Sequence, residues 1–311
     1  MSLKSFGYLF VFALIFIACG SSKKSANSTL ESQQKEIAIF PYDLSEAVLF
    51  ELPKILNEIS GLSLSENKDQ LVAIQDENGI LFFINKKTGT VEKEINFQKD
   101  GDYEGVAYAY GKYFVLKSSG TIYEINLEEK DAKYIKHKYQ LSHDTDHEGI
   151  TYDEVSDMLI IACKDSKGLQ GIDNNTRCLY CVDVKGENTE ILPVITLKRE
   201  AVKTYLLENL TMEEIEESFS KIFDEGLDYL HLGPSGIAIN PLTGNYYLLS
   251  SKGKLLAVVD RNNKILKVIK FDKKIFPQPE GITFDTDGTM YVASEKAKNN
   301  TAVIGVFKVQ N

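Results

Sequence analysis

Three glutamates stand directly before a glycine at the head of an alternating apolar stretch. They are Glu104 in "GDYEGVAYA", Glu148 in "HEGITYD" and Glu280 in "PEGITFD". Relaxed copies with serine in place of glutamate occur as "ISGLSLS" at 59–65 and "PSGIAIN" at 234–240. More acids stand nearby: Asp102 and Asp146 just ahead of two of the pairs, Asp76 and Glu295 at the ends of later apolar runs. Lys117 in "VLKSSG" and Lys164 in "ACKDSKG" stand at the end of an apolar run or in the loop after it. Carboxylates converging in such number suit a hard cation, and calcium takes several oxygen ligands of this kind. The same carboxylates can instead pair with Lys117 or Lys164 of a neighbouring repeat, or accept backbone N–H bonds, and so only hold the fold together. Which role applies depends on the elements that position them.

The motif glycines give those elements. Gly61, Gly105, Gly149, Gly236 and Gly281 are separated by 44, 44, 87 and 45 residues. A period of this size, with four short strands in each unit, is that of a β-propeller blade. The second unit reads as "GVAYA", "KYFVLKS", "TIYEINL" and "AKYIKHKYQL", with turn residues between the runs. The long interval contains one complete unit to about Leu197, followed by "LTMEEIEESFSKIF". There Thr211 and Glu214 form a capping box, Leu210 and Ile215 a hydrophobic staple, and Ile215, Phe219, Ile222 and Phe223 recur at helical spacing. Residues 198–231 are therefore expected to be a helical insertion, and the count favours five blades over six. The last unit shows three strands only, and "EIAIFPYDL" at 36–44 is expected to supply its fourth. The fold class is all-β, a propeller of four-stranded blades.

In such a blade the first strand is innermost. The glutamate–glycine pair then sits at the mouth of the central channel, where glycine permits close approach and unusual φ. The second strand returns to the same face. Asp76, Lys117, Lys164 and Glu295 are thereby expected beside Glu104, Glu148 and Glu280, with Asp102, Asp144, Asp146 and His147 in the loops entering the first strands.

The remaining sequence narrows the function classes. With 43% hydrophobic and 26% charged residues among 311, the chain is globular. A net charge of −10 and a pI near 5.1 exclude a nucleic-acid partner, which requires clustered Lys and Arg. Motifs such as G-x-S-x-G, H-E-x-x-H and the P-loop are absent. His143 and His147 in "HDTDHEG" read as solvated loop residues. Cys163, Cys178 and Cys181 read as buried thiols, although one bridge from Cys163 is geometrically allowed.

Residues 1–18 have the form of an export signal: Lys4, then the apolar run "FGYLFVFALIFIA", ending in "FIACGSS". Phe16-Ile17-Ala18-Cys19 resembles a bacterial lipobox, in which Cys19 carries the lipid. Residues 19–36 read as a polar tether, leaving 37–311 as the propeller domain. Lipid at Cys19 would attach the protein to a membrane on the exported side of the cell envelope.

The segments "LPKILNEISGLSLS", "DQLVAIQDENGILFFIN", "GDYEGVAY", "HEGITYD", "LIIACK", "HLGPSGIAINPLTGNYYLLSS" and "FPQPEGITFDTDGTMYVASE" resemble the SdiA-regulated family, also called the YjiK/CarP family, over about residues 50–297. The resemblance implies an envelope-associated propeller with a link to calcium homeostasis and a distant similarity to calcium-dependent propeller phytases. Calcium is thus the expected cofactor, if there is one. The chain is expected to act as a binding or scaffolding module, its small ligand unidentified, with the 198–231 insertion as a surface for a protein partner. The alternative is a calcium-dependent phosphatase or a lactonase-type hydrolase. Against a phytase face, arginines are few, and Arg177, Arg199 and Arg261 fall outside the glutamate–glycine strands.

Overall fold

The computed structural model describes residues 39–128, 133–138, 145–166, 171–186, 192–296 and 301–310. The export signal, Cys19, the tether, His143 and Asp144 lie outside the described residues. The unit Tyr42–Asn311 carries the whole fold. Among the described residues no helix is long and apolar enough to cross a membrane.

Twenty strands form five antiparallel four-stranded sheets. Blade 1 is β2 (Ile59–Leu64), β3 (Gln70–Gln75), β4 (Ile80–Asn85) and β5 (Val91–Asn96). Blade 2 is β6 (Tyr103–Ala109), β7 (Lys112–Lys117), β8 (Thr121–Asn126) and β9 (Lys133–Lys138). Blade 3 is β10 (His147–Asp153), β11 (Met158–Cys163), β12 (Thr176–Val182) and β13 (Leu192–Lys198). Blade 4 is β14 (Gly236–Ile239), β15 (Tyr246–Ser250), β16 (Leu255–Val259) and β17 (Ile265–Lys270). Blade 5 is β18 (Gln278–Phe284), β19 (Met290–Glu295) and β20 (Val303–Phe307), completed by β1 (Val48–Glu51) from the other end of the chain. The first strands β2, β6, β10, β14 and β18 contact one another in that order and close a ring. This is a five-bladed β-propeller.

The closing strand differs from expectation. Val48–Glu51 pairs with β20, and the described part of 36–44 contains no strand. β1 is an outer edge with three of its four residues exposed, so it has little of the apolar alternation that marks an inner strand.

The core lies between blades. Alternate side chains of each sheet meet those of the next, as Phe82 and Ile84 of blade 1 meet Tyr291, Ala293 and Ile304 of blade 5. Cys163 and Cys178 are buried, free thiols in the apolar layer of blade 3, and the lack of water there pushes both thiols up. Cys181, on the opposite face of β12, is also a buried thiol outside any disulfide.

The helices sit between blades 3 and 4: α1 (Arg199–Asn209), α2 (Met212–Ser218) and α3 (Ser220–Phe223). The capping box forms as expected. Thr211 Oγ1 accepts from the Glu214 N–H at 3.3 Å, and Glu214 Oε2 accepts from the Thr211 N–H at 2.7 Å. Val202, Leu206, Ile215, Phe219 and Ile222 join the core shared by both blades. Two buried arginines fasten the segment. Arg199 donates to the carbonyls of Ile222, Asp224 and Leu227, and Arg177 to those of Leu230 and Leu232. The insertion is thus a wedge in the ring as much as a surface element.

Candidate functional site

The residue before four of the five motif glycines is set by a break in strand pairing. In β6 the register moves between Tyr103 and Gly105, in β10 between His147 and Gly149, in β18 between Pro279 and Gly281, and in β2 between Ile59 and Gly61. Ser60, Glu104, Glu148 and Glu280 are the extra residues, left out of the ladder and so free to turn their side chains to the axis.

The glycines serve the ring by close approach. A Cβ on Gly61 would stand 2.9 Å from Gly105 Cα, on Gly105 3.1 Å from Glu148 O, and on Gly149 2.9 Å from Ile237 N. On Gly236 it would stand 2.2 Å from Glu280 O, and on Gly281 3.0 Å from Leu62 N. Each glycine faces the first strand of the following blade, all the way round. None of the five has positive φ, so the expected unusual backbone is not the reason for glycine.

Serine and glutamate versions of the motif do different work. Ser60 Oγ donates to Tyr103 O and Ser235 Oγ to Pro279 O, both at 2.7 Å, tying blade 1 to blade 2 and blade 4 to blade 5. The glutamates instead line an open bowl of about 390 Å³ on this face. Its wall also holds Asp76, Lys164, Ser251, Lys252, Lys254, Gln278 and Glu295. Below the bowl the motif residues narrow the axis to about 10 Å³, roughly the space of one water. The other ends of the inner strands open into a separate cleft of about 260 Å³.

The sequence therefore brings together Asp76, Glu104, Glu148, Glu280, Glu295 and Lys164 as expected. Lys117 is not part of the wall. Its Nζ lies 5.3 Å from the centre of the Tyr103 ring, a cation–π contact. Asp102 and Asp146 are exposed and do not line the bowl, although the Asp102 side chain hydrogen-bonds with Glu104. Asp102 accepts a hydrogen bond from Ser118 Oγ, and the Asp146 carbonyl accepts one from the Lys164 N–H. Nor do the glutamates pair with lysines of neighbouring blades: Lys164 Nζ lies 2.7 Å from Glu148 Oε1 within blade 3. His147 is fully buried rather than solvated, and its Nδ1 lies 2.7 Å from Ser118 O across the blade 2–3 junction. Lys252, Lys254 and Gln278 were not singled out by sequence. The first two lie just after Ser251, which holds in blade 4 the place of Lys164 in blade 3, so the repeat pointed to this turn though not to these residues.

The carboxylates lack compensating charge. Burial, then Glu148 and Asp102, raises Glu104 to about 9. Burial, then Glu148 and Glu295, raises Glu280 to about 8. Burial, then Asp76 and Glu58, raises Glu295 to about 7. Burial also raises Glu148, against the pull of Lys164, and raises Asp76, with help from Glu58 and Glu77. Burial works to lower Lys164, but Glu148, Glu280 and Glu104 hold it above the usual lysine range. Oδ1 of Asp76 is buried without a hydrogen-bond partner. Among the described residues no three His, Cys, Asp or Glu side chains form a ready-made metal cage. The donors are hard oxygens of the kind calcium uses, arranged around a lysine ammonium rather than drawn together on one point.

By sequence, comparison with curated proteins gives no match. Among solved structures, the chain is similar to glutaminyl cyclase from Myxococcus xanthus, with a TM-score of 0.52 and 10% identity over 85% of this chain and 96% of that one. It is also similar to virginiamycin B lyase from Staphylococcus aureus, with a TM-score of 0.43 and 14% identity over 83% and 69%. At such identities the likeness shows the fold alone. The SdiA-regulated family model matches residues 42–175 and 221–298, all five inner strands with their glutamate–glycine and serine–glycine pairs, and leaves out β12, β13, α1, α2 and β20. With most of the propeller matched in order, the chain belongs to the SdiA-regulated family.

Proposed function

We propose that this propeller is a binding module of the cell envelope, held to a membrane by lipid on Cys19, and that its acidic bowl takes a calcium ion. The observation that supports the reading is the inner ring of Glu104, Glu148 and Glu280. Bulges release their side chains from the sheet, and among the described residues Lys164 is the ammonium that pairs with one of them. Buried carboxylates raised in this way gain a full charge when a divalent ion replaces their protons. The Lys164 ammonium holds the position by pairing with Glu148, and it is the group a calcium ion would displace. Glu104, Glu148 and Glu280 would supply the oxygens, and the ion would supply charge neutralisation there.

Calorimetric titration of the chain with calcium chloride tests the reading. Heat of binding, a raised melting temperature and loss of both in Glu148→Gln with Glu280→Gln are expected. Absence of heat and of thermal shift at millimolar calcium would overturn it. Turnover of a phosphate ester or lactone, lost in the same variants, would replace a binding role with a hydrolytic one.

A further inference from the structure

The wall of the bowl is divided by charge, and the division follows the ring. Blades 5, 1 and 2 contribute Glu280, Glu295, Asp76 and Glu104. Blades 3 and 4 contribute Lys164, Lys252 and Lys254, and the one acid on this side, Glu148, is already bound to Lys164. One arc carries carboxyl groups, which a cation can strip of their protons, and the other carries ammonium groups.

The cationic arc is held in place. Lys252 Nζ lies 4.9 Å from the centre of the Tyr229 ring, on the chain returning from the insertion. Lys254 has φ 59 and donates from Nζ to Ser251 O at 3.1 Å. Among the described residues Lys254 has no carboxylate within salt-bridge distance, although five acids line the same bowl. On the opposite arc Asp76 Oδ1 is a buried acceptor with no hydrogen-bond donor among the described residues, and the Asp76 carboxylate disfavours the charge of Glu295 beside it in the wall. A native protein seldom leaves such an acceptor unmet unless something else meets it.

We propose that the rim of the bowl binds a small zwitterion of the amino-acid or short-peptide class. Its ammonium or guanidinium group lies between Asp76 and Glu295, and its carboxylate lies at Lys252 and Lys254. A purely cationic ligand would bring its tail against the lysines. A purely anionic one would meet the acids of blades 5, 1 and 2. Only a molecule charged at both ends complements both arcs, and a volume of about 390 Å³ suits one of dipeptide size or less. The inference rests on the assignment of this face as the binding face, but it uses the rim residues rather than the inner glutamate ring.

The test is calorimetry on the full chain with ω-amino acids from glycine to 6-aminohexanoate as a spacer series. Butylamine and butyrate serve as singly charged controls, and each probe is run with and without calcium. One spacer length is expected to bind at least about tenfold tighter than either control. Lys252→Ser with Lys254→Asn, where asparagine tolerates the left-handed φ, is expected to lose that advantage and keep calcium binding. Glu295→Gln is expected to lose it from the other side. Equal affinities across the series and the controls, or an advantage that survives the lysine substitutions, would overturn the proposal. Calcium heat without amino-acid binding would sink this inference and leave the cation reading standing. Amino-acid binding without calcium heat would do the reverse.

Discussion

Lys164 and Glu148 meet at 2.7 Å inside one blade, the lysine at the end of the second strand and the glutamate at the bulge of the first. The pair gives the inner carboxylates their nearest positive charge. Replacing Lys164 with methionine keeps the stem and removes that charge. A loss of about 1–3 kcal/mol is expected in denaturant unfolding without calcium. Added calcium should restore more stability to this variant than to the parent chain. Equal stability of variant and parent would show that the ammonium does not offset the inner ring.

The raised carboxylates set a pH dependence with a definite sign. Glu104, Glu280 and Glu295 bind protons in the folded chain to about 9, 8 and 7, against 4.5 for an ordinary glutamate. Between those limits the folded chain holds more protons than the unfolded one, so stability falls as pH rises. The contribution is full below about 4.5 and gone above about 9. Melting temperatures from pH 5 to pH 9 are expected to decline without calcium and to decline less with it. A flat or rising profile without calcium contradicts the burial of these groups.

Gly236 is the tightest point of the inner ring. Alanine there would set its Cβ 2.2 Å from the backbone oxygen of Glu280. Backbone cannot rotate aside as a side chain can, so two blades must part. The expected cost is about 1–3 kcal/mol by denaturant unfolding. It should come with loss of ligand binding at the bowl, since Glu280 moves with its carbonyl.

The helical wedge can be separated from a surface role by two neighbouring leucines. Leu206 is fully buried in the core of blades 3 and 4, whereas Leu207 is 55% exposed. Leu206→Ala is expected to cost about 2–5 kcal/mol and Leu207→Ala less than about 0.5. Comparable small effects from both would show that the insertion is only laid on the propeller.

Much of this architecture was legible because ring closure repeats one steric demand. Each inner strand must pass a neighbour without a side chain in the way, and so glycine recurs at the blade period. Thr211 and Glu214 announced a helix because a capping box is local chemistry. The acidic wall was legible by the same logic, since antiparallel strands return Asp76, Lys164 and Glu295 to the face where the glutamates start. What stayed hidden depended on neighbours far along the chain. Lys117 stands opposite Tyr103, whereas Lys164 follows Cys163, which stands opposite His147; this offset of one residue leaves one ammonium over the Tyr103 ring and the other on Glu148. His147 follows a polar run yet is buried, because Ser118 of the preceding blade accepts its bonds. β1 lies at Val48–Glu51 rather than at 36–44 and is hard to see in sequence, because an exposed edge strand carries too little apolar alternation to stand out.

The pairing of β1 with β20 sets the order in which the molecule can assemble. Hairpins inside a blade join nearby segments, but Val48 must find Val306 across nearly the whole chain. Loop-closure entropy of that span falls on the last step, which makes a slow final phase the natural expectation. Until then β20 presents an open edge able to pair with other chains. β1 leaves the ribosome before every other described strand, so it waits without its partner until β20 has followed.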